Sequence, residues 1–158
     1  MAKKSEKVTL GKQYRDRVTG FVGTAVVRYD YFNGRVLYTL APTVDEEGKL
    51  GKHHSVYGNE LLSADGSEVE VPKPTKHDIV LGKKYRDRIT GFVGTATSRS
   101  IHVNGCIQIG LDPPVNEKNE IQAGWMFDDD RIMNIETAEK AVAHPAPRGN
   151  ANLTSSRL

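Results

Sequence analysis

The sequence predicts an all-β protein: two tandem small β-barrels, at residues 1–62 and 78–136, with a linker at 63–77 and an extended C-terminal arm at 137–158. Three observations carry that expectation. YRDRVTGFVGTA at residues 14–25 returns as YRDRITGFVGTA at 85–96, an offset of 71 residues that runs on without a gap. Each copy is rich in β-branched and aromatic runs punctuated by Gly, Asn and Pro, with little helical periodicity. Two copies at so long a period fall short of a solenoid, which leaves a tandem pair of small domains.

The offset places Leu10, Gly11 and Lys12 on Leu81, Gly82 and Lys83, Arg28 on Arg99, Asn33-Gly34 on Asn104-Gly105, and Leu40 and Pro42 on Leu111 and Pro113. Leu50, Val56 and Leu61 fall on Ile121, Phe127 and Ile132, so apolar character persists where identity is lost. In the repeated phrase, Thr19-Gly20 and Gly23 interrupt the strand pattern where a sheet bends sharply. Gly20 and Gly91 are therefore expected at positive φ or against a close backbone, with Tyr14, Val18, Phe21 and Val22 on the apolar side. TAVVRYDY and RVLYTL flank Asn33-Gly34, which predicts a type I′ hairpin, repeated at Asn104-Gly105. Pro42 and Pro113 end the third strand, because proline cannot donate to the ladder. The acidic loops DEEGKLG and NEKNEIQ follow, and short strands at HHSVYG and WMFDDD close the unit. Short strands bent at glycines describe a small barrel resembling the SH3-like fold, in which closure hides the sheet edges.

SADGSEVEVPKPTKH, residues 63–77, reads as an exposed connector stiffened by Pro72 and Pro74, with VEVP able to add an edge strand. ETAEKAVA is expected to form two helical turns. HPAPRGNANLTSSRL has little to bury beyond Leu153 and Leu158, and ordering it costs roughly 1 to 2 kcal/mol per residue. The expected support for this arm is a neighbouring subunit in an assembly.

The 22 basic and 20 acidic residues leave a net charge of +2, too small to name a nucleic-acid or membrane partner. No apolar run approaches a bilayer span, and MAKKSEK lacks a following apolar segment, so a soluble protein made in the cytoplasm is expected. Cys106 cannot form an internal disulfide and, within an apolar alternation, reads as a small buried hydrophobe. Asp128-Asp129-Asp130 reads as an acidic turn and His53-His54 as solvated loop residues, since neighbouring strand residues diverge in direction. No nucleophile elbow or phosphate loop is present. No catalytic residue, cofactor or metal is expected.

Two surfaces remain. Arg15, Arg17 and Arg28, with Arg86, Arg88 and Arg99, are the candidates for a phosphate-binding stripe; the simpler expectation is a salt bridge from Asp16 or Asp87 to a neighbouring arginine. The units themselves carry +2 (residues 7–62) and −1 (78–133), where a tandem nucleic-acid binder would keep both copies basic. The hairpin tips differ more than the scaffold. YDYFNG in the first copy becomes SIHVNG in the second, and Tyr29, Tyr31 and Phe32 form an aromatic tip suited to a protein interface.

Leu-Gly-x-x-Tyr-Arg-Asp-Arg-[Val/Ile]-Thr-Gly-Phe-x-Gly-Thr-Ala, then Asn-Gly, then a strand ending Leu-x-Pro, resembles a family of small barrel proteins of tailed bacteriophages and prophages. The second copy is nearer that family through Asn104-Gly105-Cys106 and Asp112-Pro113. Trp125, Phe127 and Asp128 match its Trp-Phe-Asp with Met126 inserted, while the first copy has His54-Ser55-Val56-Tyr57 there. The resemblance implies a phage origin and no catalytic residues. With the duplication, which lets one subunit touch two neighbours, the expectation is a structural protein of the virion, in the neck, collar or tail region or as capsid decoration, whose partners are other virion proteins and copies of itself. A weaker likeness to KOW-type barrels, through Gly20-Phe21-Val22-Gly23, supplies the alternative of a nucleic-acid-binding module.

Overall fold

The computed structural model describes residues 4–135. The expected arm, with Leu153 and Leu158, and the expected helical turns at 136–143 lie outside them. By contacts the chain divides into two compact units: the first holds residues up to Lys76 with the hairpin tip Ser100–Cys106, the second His77–Arg99 and the residues from Ile107 on.

The first copy contributes β1 (Glu6–Lys7), β2 (Gln13–Asp16), β3 (Val22–Tyr31), β4 (Val36–Ala41), β5 (His54–Tyr57), β6 (Leu61–Ser63) and β7 (Val69–Glu70). Antiparallel pairing runs in the order β6-β2-β3-β4-β5. β7, the edge strand expected at VEVP, pairs in parallel with β1. The second copy contributes β8 (Lys84–Asp87), β9 (Val93–His102), β10 (Ile107–Asp112), β11 (Trp125–Asp128) and β12 (Ile132–Asn134), in the order β12-β8-β9-β10-β11. β2 to β6 and β8 to β12 begin and end at positions related by the same 71-residue offset. A one-turn 3-10 helix follows β5 at Gly58–Glu60 and β11 at Asp129–Arg131.

The protein is thus all-β, with antiparallel sheets that stay open. Closure of either barrel is not found among the described residues, since β5 and β6 are joined end to end by the short 3-10 turn and carry no pairing to each other. The same holds for β11 and β12.

Each copy has its own core. Val8, Tyr14, Ala25, Tyr38, Leu40, Val56 and Leu61 cluster in the first; Ile79, Tyr85, Ala96, Ile109, Leu111 and Phe127 cluster in the second. The period-2 alternation of strands puts these side chains on one face. Tyr14 brings a polar handle into the core, and its hydroxyl accepts the Thr9 amide at 2.7 Å; Tyr85 accepts the Val80 amide at 2.8 Å. Phe21 packs on the first core, but Val18 and Val22 are exposed, correcting the apolar side expected of them. The strand ends at Asp16, whose carboxylate takes the Val18 amide and turns that side chain outward. Leu50 and Ile121 are also exposed, in loops, so their shared apolar character marks no core.

The repeated glycines have two separate causes. Gly20 and Gly91 stand at φ of 80° and 79° with open space where a side chain would go, so the backbone conformation alone selects them. Gly23 and Gly94 are selected by proximity: a Cβ would lie 2.8 Å from the Ala41 and Asp112 carbonyl oxygens respectively.

The hairpins are not type I′. Asn33 and Asn104 do not have positive φ, whereas Gly34 and Gly105 do. The Gly34 amide donates to Tyr31 O at 2.9 Å and the Tyr31 amide to Arg35 O at 3.0 Å, which makes a three-residue loop with a bulge at the glycine. Asn33 contributes its side-chain oxygen, which accepts the Arg35 amide at 3.0 Å. Cys106 belongs to the equivalent loop and is exposed, correcting the buried role expected for it. It sits on the turn before β10 begins, so strand alternation does not govern it.

Candidate functional site

In the first unit, cross-strand register builds an aromatic surface. Tyr29 pairs with Leu37, and Leu37 pairs with Tyr57. Directly paired residues share a sheet face, and Tyr31 joins the same face two positions along β3. The Tyr29 and Tyr31 rings stack with centroids 6.2 Å apart and planes 18° from parallel. The Arg35 guanidinium lies 5.2 Å from the centre of the Tyr57 ring and donates to its hydroxyl at 3.3 Å. Burial, with the neighbouring Tyr29 and Tyr57, pushes the Tyr31 phenol above its ordinary value of 10.0. Beside these rings opens a cavity of about 550 Å³, lined by Val36, Tyr57, Gly58, Asn59, Glu60 and Val71 among others.

The structure therefore brings Tyr29 and Tyr31 together, half-buried, and leaves Phe32 exposed on the loop. Sequence reasoning missed Tyr57 and Arg35. The available signal was Tyr57 at the end of a predicted strand, where the second copy has Asp128. In that copy Ser100, His102 and Val103 occupy the places of Tyr29, Tyr31 and Phe32, so the aromatic surface belongs to one copy only.

The underside of the same strands is polar and partly bonded within the protein, with Arg28 Nη2, Asp30 Oδ2 and Arg99 Nε buried without a hydrogen-bond partner. Arg28 is buried, with Nε donating to Asp30 Oδ1 at 3.0 Å and Nη1 to the Tyr38 hydroxyl at 3.0 Å. Arg99 is buried in the second copy and donates to Ile79 O at 2.7 Å. Arg15 donates to Ala64 O, Arg17 to Glu68, and Arg88 to Asp130 O. Arg86 is half-buried on β8. These six arginines do not make one exposed phosphate-binding stripe, because two face the interior and most are held by local partners.

The expected salt bridge within the unit forms at Asp87, through Arg131 and not through an arginine of the repeated phrase, while Asp16 pairs with His54. Asp87, fully buried, accepts Arg131 Nε at 2.8 Å and Nη2 at 2.7 Å, together with the Thr90 amide and hydroxyl. Asp16 accepts the Val18 amide and the Thr19 hydroxyl, and its Oδ2 lies 2.8 Å from His54 Nε2. His54 is thus part of β5 and stands 5.0 Å from the Phe21 ring, not in a solvated loop; His53 is exposed. Asp-x-x-Thr was the legible signal for these turns, since Asp and Thr side chains capture amides two or three residues on. Among Asp128, Asp129 and Asp130, Asp128 accepts from Gln108 and Asp129 lies 3.3 Å from His77. No cluster of three or more His, Cys, Asp or Glu among the described residues is placed to hold a metal ion.

These carboxylates set an acid limit. Burial pushes Asp87 up, but the hydrogen bonds from Arg131 and Thr90 and the Arg131 charge outweigh it, leaving the group below its ordinary 3.8. Burial likewise raises Asp16, and the bonds from His54, Thr19 and the Val18 amide outweigh that. With folded-state pKa values below the unfolded ones, the unfolded chain takes up protons first as pH falls. Their stabilisation is complete well above pH 3.8 and is lost as pH drops through that value and then through the folded-state values. Unfolding midpoints measured from pH 6 to pH 2 should fall most steeply below about pH 4. A midpoint flat across that range would contradict these assignments.

No helix among the described residues is long and apolar enough to cross a membrane. No family model, curated protein or solved structure matches the chain.

Proposed function

We propose that the chain is a structural component of a tailed-bacteriophage virion, a neck, collar or tail-region protein that binds neighbouring subunits through its loops, the aromatic surface beside them and its C-terminal arm. Capsid decoration is the next location. The observation that carries this reading is one five-stranded scaffold, β2–β6, that recurs as β8–β12, with Tyr29, Tyr31, Phe32 and Tyr57 presented by one copy alone. A duplicated frame with unlike surfaces suits a subunit that touches two different neighbours. The phage-family resemblance of the repeated phrase supports the setting. The strand order, with a 3-10 turn before a fifth strand that returns to the first, supports an SH3-like topology for each unit. The internal engagement of Arg28 and Arg99 speaks against the nucleic-acid alternative, and no catalytic role is proposed.

Purified virions are expected to contain the protein as a stoichiometric band. Truncation after Val142 is expected to leave the unfolding midpoint unchanged while lowering occupancy in the particle at least several-fold. Absence of the protein from virions, or wild-type occupancy of the truncated form, would overturn this role.

A further inference from the structure

We infer that the Tyr29, Tyr31 and Tyr57 surface, with the cavity beside it, is a receptor for the Pro145-Ala146-Pro147-Arg148 stretch of the arm of a second copy. This deepens the assembly reading above and rests on it.

The chemistry on each side is complementary. His144-Pro145 and Ala146-Pro147 repeat an X-Pro pair, which fixes φ at the prolines and keeps the preceding residues extended, favouring polyproline II. Such a segment carries no internal hydrogen bonds and loses little entropy on docking, and aromatic grooves recognise it by laying rings against prolines. The stacked Tyr29 and Tyr31 rings, with centroids 6.2 Å apart, give such a segment an aromatic floor to lie on. Tyr57 continues the aromatic floor to the cavity, whose volume of about 550 Å³ accommodates one long side chain. Glu60 and Asn59 line that cavity, so the Arg148 guanidinium can enter beside a carboxylate and an amide oxygen, while Arg35, also in the lining, is held on the Tyr57 ring and hydroxyl. Val36 and Val71 line the wall against which its methylene stem would lie. The second copy has no equivalent: Asp128 and Arg131 replace Tyr57 and Glu60 there, and Cys106 replaces Arg35. One docking site per chain and one arm per chain give a head-to-tail contact.

The test uses the full-length protein with its own arm silenced by Pro145→Ala, Pro147→Ala and Arg148→Glu, titrated with a labelled synthetic peptide of residues 144–158. Saturable binding is expected, weakened about tenfold by Tyr57→Ala and similarly by Glu60→Arg. A peptide carrying Arg148→Glu should regain affinity for the Glu60→Arg protein. Absence of saturable binding, equal binding of a scrambled peptide, or indifference to both site substitutions would overturn the docking site. If the unaltered chain excludes the peptide while remaining monomeric at every concentration, the occupant is its own arm and the second-copy assignment fails. Particle occupancy separates this inference from the assembly role: dependence on the arm but not on Tyr57 rejects the docking site and retains the role, while independence of the arm rejects the role.

Discussion

Replacing Asp87 by alanine is expected to destabilise the second unit by about 3 to 5 kcal/mol, the range for removing one member of a buried ion pair. Its carboxylate is fully buried and receives two guanidinium bonds from Arg131 and two from Thr90, so the substitution removes an acceptor from four donors at once. It also unties the turn that ends β8 from the 3-10 turn that precedes β12. Asp16→Ala in the first unit should cost less, about 1 to 3 kcal/mol, because the partner there is the more exposed His54 ring and not a permanent cation. Urea unfolding of the two variants measures both effects. A loss under about 1 kcal/mol for Asp87→Ala would mean that the Arg131 bonds do not form in solution.

Gly94→Val is expected to destabilise by about 3 kcal/mol or more, at the upper end for overpacking. A Cβ at this position would meet the Asp112 carbonyl oxygen, carbon and amide nitrogen at 2.8, 2.9 and 3.0 Å. Those are backbone atoms inside the β9-β10 pairing, so relief requires the strands themselves to part. Gly91→Asn provides the contrast. Space is open there and asparagine tolerates the left-handed conformation, so a loss under about 1 kcal/mol is expected. Equal losses at Gly91 and Gly94 would refute the separation of conformational from steric glycines.

Most of the fold was legible because the repeat exposes its own grammar. Where both copies keep the same residue type under different pressures, as at Tyr14 and Tyr85 or Leu40 and Leu111, the position is core. Glycine spacing located the bends, and the prolines located the strand ends. The failures have a common form: a side chain was assigned to a regular strand where a turn controls it. Val18 and Cys106 are exposed for that reason, and the Asn-Gly pair belongs to a three-residue loop because its asparagine spends its side chain on the Arg35 amide rather than adopting positive φ. The aromatic surface was half legible. Tyr29 and Tyr31 stand two apart on one strand, whereas Tyr57 joins them through β4, a tertiary pairing with no local signature. The partners of Asp16 and Asp87 were hidden likewise, since His54 and Arg131 are 38 and 44 residues away.

A chain that spells the same strand twice also has two ways to pair it. β2 reads QYRD and β8 reads KYRD, and each meets its following strand in the same register, Tyr14 opposite Gly23 and Tyr85 opposite Gly94. During refolding β8 can therefore insert between β3 and β6 in place of β2 with the ladder intact, and the main penalty is that Asp87 meets His54 in place of Arg131. The same exchange between two molecules links them into a strand-swapped dimer. Rapid dilution from denaturant is expected to leave a dimeric fraction that grows with protein concentration, read by size-exclusion chromatography. Uniformly monomeric refolding would show that the carboxylate partners alone proofread the register.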